Sequence, residues 1–109
     1  MEIGGYQFQD VTTDLEDVSS QAVGVYVVLG LISDHPHCVL YIGTSEGGTQ
    51  ADVTDTGNLQ HTLATHEKRT CWEDNTHGEI GYCVKHVPDT DRRIEIRNEL
   101  QWKYITPCG

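Results

Sequence analysis

From Val23 to Ile32 the chain reads VGVYVVLGLI, an uncharged and largely β-branched stretch that suits a buried strand. Asp34-His35-Pro36-His37 follows as a turn, because aspartate and proline both favour one. Val39 to Ile42 then returns as a second strand, so the two runs make a β-hairpin.

The other elements are read around this hairpin. Met1 to Gln9 carry little apolar periodicity, but Thr13-Asp14-Leu15-Glu16 has capping-box spacing and predicts a short helix to about Ser19. Thr44 to Gly57 is rich in Gly, Thr and Asp and reads as an inserted surface loop. Leu59, Leu63 and His66 recur at helical spacing behind Asn58, a good N-cap, which predicts a helix from about Leu59 to Arg69. Glu79 to Val87 alternates as a third strand. Ile96, Leu100 and Tyr104 give one face to a last helix over Asp91 to Ile105, before Pro107. The order implies one α+β domain over residues 1–109, with a small central sheet of about three strands flanked by helices. Residues 1–22 form an N-terminal extension to it.

Charge divides the chain. Met1 to Gly57 holds nine Asp or Glu and no Lys or Arg, whereas Asn58 onward holds eight acidic and seven basic residues, so the net −10 sits almost wholly in the first half. That half repels nucleic acid, whose binding rests on phosphate neutralisation. A nucleic-acid partner would have to use the basic C-terminal half, and a basic protein would meet the acidic N-terminal half. Bland solubility is a third reading of the same acidity. No apolar run approaches the roughly eighteen residues of a membrane span, so no membrane is expected and the expected location is cytoplasmic. In that compartment Cys38, Cys71, Cys83 and Cys108 are expected as free thiols.

Gly24-Val25-Tyr26 on the first strand and Tyr41-Ile42-Gly43 on the second resemble the paired motif that names the GIY-YIG nuclease superfamily. Asn58-Leu59 and Leu63 to His66 resemble its first core helix. Glu99-Leu100, Lys103-Tyr104 and Pro107-Cys108 resemble its closing helix and tail. The resemblance implies phosphodiester hydrolysis at one Mg²⁺ or Mn²⁺ ion, with two tyrosines at the nucleophile, an arginine at the phosphate and a glutamate at the metal. Tyr26 and Tyr41 match the tyrosines as catalytic candidates, with Gly43 beside them.

The two charged positions do not match. The resemblance puts the arginine position on Thr62 and the glutamate position on Arg97. A cation there opposes a metal: at about 4 Å and an effective dielectric of roughly 20, repulsion is about 4 kcal/mol per unit charge of the ion. Glu95 and Glu99 are the relocated carboxylates to consider, although each lies about 200° round the helix from Arg97. His61 or Arg69 can stand in for the arginine, and His66 reads as a core histidine bonding a tyrosine hydroxyl. The preferred expectation is a non-catalytic module in which Tyr26, Tyr41 and Arg97 bind an anion and no cofactor is needed. An active endonuclease and an acidic protein-binding or inhibitory module are the alternatives. His35, His37 and Cys38, or Cys71, His77, Cys83 and His86, can also be written as zinc sets, but their spacing is irregular and lacks a paired C-x₂-C element.

Overall fold

The computed structural model describes residues 1–18, 22–33, 35–45, 58–76 and 78–108. Its central feature is an antiparallel three-stranded sheet ordered β4-β3-β5, with β3 at Gly24–Ile32, β4 at His35–Thr44 and β5 at Glu79–His86. The middle position of β3 explains its unbroken apolar sequence, since both of its faces are covered.

Two cores result. On one face Val25, Val27, Leu29 and Leu31 meet Ile96 and Leu100 of helix α3 (Thr90–Lys103), together with Ile3 and Phe8. On the other face Tyr26, Val28, Tyr82 and Val84 meet Leu59 and Leu63 of α1 (Leu59–Ala64) and Trp72 of α2 (Arg69–Asn75). Mixed helices and a small antiparallel sheet make this an α+β fold, as expected.

Several boundaries differ from expectation. The second strand begins at His35, so Pro36 and His37 lie in β4 and the reversal passes through Ser33, whose φ is 52°. Proline is tolerated there because β4 is an edge strand. Leu40 is an extra residue in that strand: Val28 pairs Tyr41 while Leu29 pairs Val39. The bulged Leu40 carbonyl accepts from Cys108 N at 3.3 Å and so holds the tail after α3.

The helix expected over Leu59 to Arg69 ends at Ala64, and a second helix that was not expected runs over Arg69–Asn75. Between them, Thr65 Oγ1 donates to the His61 carbonyl at 2.9 Å, Lys68 N donates to His66 Nδ1 at 3.0 Å, and Arg69 Nη1 donates to the Leu63 carbonyl at 2.7 Å. Local side-chain bonds thus take over from the helical ladder. The early helix shrinks to a 3₁₀ turn at Leu15–Asp17, capped by Asp14 through Glu16 N, and its expected end at Ser19 lies outside the described residues. Met1 to Gln9 hold a small hairpin, β1 (Glu2–Ile3) and β2 (Tyr6–Gln7). Asn58 caps α1 as expected, accepting from His61 N at 2.7 Å. Most of the Thr44 to Gly57 insertion lies outside the described residues.

The free-thiol expectation is corrected for one pair. Cys71 of α2 and Cys108 of the tail form a disulfide with their Cα atoms 5.8 Å apart, because the chain doubles back past α2 after α3 ends. Cys38 and Cys83 are free. Burial pushes the Cys83 thiol up to about 11, which makes it a poor ligand and nucleophile. No helix among the described residues is long and apolar enough to cross a membrane.

Candidate functional site

A cleft of about 610 Å³ opens over the edge of β4, between α1 on one face of the sheet and α3 on the other. Tyr26, Tyr41, Gly43 and Thr44 form its floor, His61, Thr62, Thr65, His66 and Glu67 one wall, and Arg97 and Gln101 the other. Residues more than seventy positions apart meet here because α3 lies along β4, where Gln101 Nε2 donates to the Ile42 carbonyl at 3.1 Å.

The floor is built by register. Tyr26 pairs Gly43 across the two strands, and the rings of Tyr26 and Tyr41 lie nearly parallel, 6.1 Å apart and 20° between planes. A Cβ on Gly43 would crowd the Tyr26 hydroxyl, approach Tyr26 Cζ to 2.6 Å and reach Tyr41 Cε1 at 2.9 Å. Glycine is therefore the residue that lets both tyrosines occupy one place. Gly43→Ala is expected to cost about 1–3 kcal/mol by overpacking and to displace a ring. Urea denaturation with near-ultraviolet circular dichroism checks this, and unchanged stability with an unchanged aromatic signal would contradict it.

Behind the floor His66 stands edge-on to Tyr41 at 4.8 Å and to Tyr26 at 5.9 Å, with Trp72 at 4.8 Å from its own ring. Tyr26 is only 2% exposed, so it is a core residue that also borders the cleft. Burial holds His66 below its ordinary pKa, while the Glu67 carboxylate pulls the other way. His66 is therefore neutral at pH 7. Since Lys68 N–H donates to Nδ1, the imidazole carries its proton on Nε2 and acts there as a donor. His66 is half-buried, and its packing is with these aromatic rings.

Arg97 lines the cleft, and its guanidinium donates from Nε and Nη2 to the Asn98 amide oxygen at 3.3 and 3.1 Å. That neutral partner leaves its charge uncompensated by any ion pair among the described residues. Thr62 and His61 also line the cleft. Arg69 does not: it bonds the Leu63 carbonyl and lies over the rings of Trp72 and Tyr82 at 5.7 and 5.9 Å, in a separate hollow beside Glu73 and Glu79. It cannot replace an arginine at the cleft.

Neither relocated carboxylate reaches the cleft. Glu95 pairs with Arg92 at 2.7 Å. Glu99 accepts from the Tyr6 hydroxyl and pairs with Lys103 at 3.3 Å, and these two partners hold it below its usual carboxylate range. The carboxylate that does line the cleft is Glu67, which the sequence reading passed over. No three His, Cys, Asp or Glu come together as a metal site among the described residues. The zinc sets fare accordingly: Cys71 is bridged to Cys108, Cys83 is buried, and His77 lies outside the described residues.

No protein-family model, curated protein or solved structure matches this chain.

Proposed function

We propose that this chain is a binding module of GIY-YIG-like architecture that holds a small anion in the β4 cleft and does not hydrolyse phosphodiesters. The observation that carries the reading is that Arg97 lines the same cleft as Tyr26 and Tyr41. An arginine recognises phosphate or carboxylate, here by exchanging its neutral Asn98 partner for the anion or by using the N–H groups that Asn98 leaves over. A neutral His66 Nε2–H, the Tyr41 hydroxyl and Gln101 supply further polar contacts around it. Glu67 alone, across from a guanidinium, does not make a donor set for Mg²⁺ or Mn²⁺, and no hydrolytic step is derived through either ion.

Polymeric nucleic acid suits the cleft poorly, because the net charge of −10, most of it in the first half, opposes a polyanion. The acidity fits a basic protein better as a second, surface-bound partner.

Calorimetric titration with inorganic phosphate at low salt tests the proposal. Arg97→Ala is expected to weaken binding by about tenfold or more, the worth of a charge-assisted contact. Equal affinity in the variant would overturn the reading. Nicking of plasmid by wild type with Mg²⁺ or Mn²⁺, lost in Tyr41→Phe, would establish the endonuclease alternative instead.

A further inference from the structure

The cleft carries two opposite charges that do not meet. Arg97 stands on the α3 wall and Glu67 on the segment that follows α1. No ion pair within 4.0 Å joins them, and Glu67 forms none with any other described residue. The rest of the lining is polar: the hydroxyls of Tyr41, Thr62 and Thr65, the Gln101 amide and the imidazoles of His61 and His66.

A simple anion satisfies only half of this arrangement. Seated at Arg97, it would meet Glu67 across the same cleft, and a dianion would meet it twice as strongly. A molecule whose own charges are separated satisfies both ends. We infer that the cleft selects a small zwitterionic phosphomonoester, with its phosphate at Arg97 and its ammonium at Glu67. This inference rests on the anion-binding reading of the cleft and adds to it a specificity-determining residue, Glu67.

Size agrees with the assignment. A volume of about 610 Å³ lies within the usual range of small-ligand sites, roughly 300–1,000 Å³, and holds a compact molecule of a few carbons with room for ordered water. The Glu67 side chain is exposed at the rim, so its pairing with an ammonium is partly screened and the preference it creates is modest.

The experiment compares O-phosphoethanolamine with ethyl phosphate, which has the same phosphate and chain but lacks the ammonium. Both are titrated at low salt into the full chain, its Glu67→Gln variant and its Arg97→Ala variant, with binding followed by amide chemical shifts. Wild type is expected to bind O-phosphoethanolamine about two- to fivefold more tightly than ethyl phosphate. Glu67→Gln is expected to erase that preference and to bind ethyl phosphate more tightly than wild type does. Because Glu67 is exposed, a melting curve superimposable on that of wild type is expected for this variant. If wild type binds ethyl phosphate as well as O-phosphoethanolamine while Arg97→Ala loses both, zwitterion selection is wrong and the anion site stands. If neither probe shifts any cleft resonance at millimolar concentration, both readings fall together.

Discussion

Arg93→Ala is expected to destabilise the domain by about 3–5 kcal/mol, from the loss of a buried, multiply bonded charge and the orphaning of its acceptors. Arg93 is 1% exposed. Its Nε donates to the Val87 carbonyl at 2.8 Å, Nη1 to the Ser45 carbonyl at 3.1 Å and Nη2 to the Pro88 carbonyl at 3.1 Å. One side chain therefore fastens the end of β5, the segment entering α3 and the residue following β4. Burial lowers its pKa and the Asp89 carboxylate opposes that, yet a guanidinium stays charged across the working range. A domain of this size is stable by only about 5–15 kcal/mol in all, so the substitution removes a large share. Urea unfolding measures it. Arg93→Lys should recover less than half of the loss, since an ammonium cannot reproduce the fork. An alanine variant within about 1 kcal/mol of wild type would show that the three carbonyls find other partners.

Opening the Cys71–Cys108 disulfide is expected to cost about 2–4 kcal/mol, the usual range for a bridge closing a loop of this size, here one with a sequence separation of 37. That corresponds to a fall in Tm of about 10–20 °C for a small domain. The bridge also seats α2, whose Trp72 backs His66 at 4.8 Å and Tyr41 at 6.0 Å, so reduction should weaken phosphate binding as well as stability. Calorimetric melting with and without a phosphine reductant gives the shift. Thiol titration of unfolded, unreduced protein should find the two cysteines left free, Cys38 and Cys83. Four titrating thiols together with an unchanged Tm would refute the bridge.

The three main strands and α3 were legible in the sequence because their burial is written as runs and periods: β3 has no solvated face, and Ile96 and Leu100 repeat at helical spacing. Tyr26, Tyr41 and Gly43 were singled out by the resemblance, which, counted back from Tyr104 and Pro107-Cys108, also singled out Arg97, and the four residues line one cleft. What was missed depends on local geometry. Two-residue strands are too short to show alternation, but Gly4-Gly5 between Ile3 and Tyr6 was a hairpin signal, and both glycines have positive φ, 60° and 91°. Glu67 falls four residues after Leu63 and eight after Leu59. In a continuous helix it would occupy the apolar face, and that charge was the sign that α1 stops before it. Arg93 lies three residues before Ile96 on the buried face of α3, where no periodicity argument supplies acceptors for a guanidinium. The disulfide followed from the path of the tail, and a single bridge among four cysteines can be drawn in six ways that sequence alone does not separate.

The central proposal is that Arg97 makes the β4 cleft a site for a small anion and not for a divalent metal ion. Anomalous diffraction from crystals soaked separately in selenate and in Mn²⁺ addresses it most directly. A selenium peak is expected in the β4 cleft within hydrogen-bonding reach of Arg97, with no manganese peak there. A manganese ion held by Glu67 in that cleft, with no selenate beside Arg97, would contradict it.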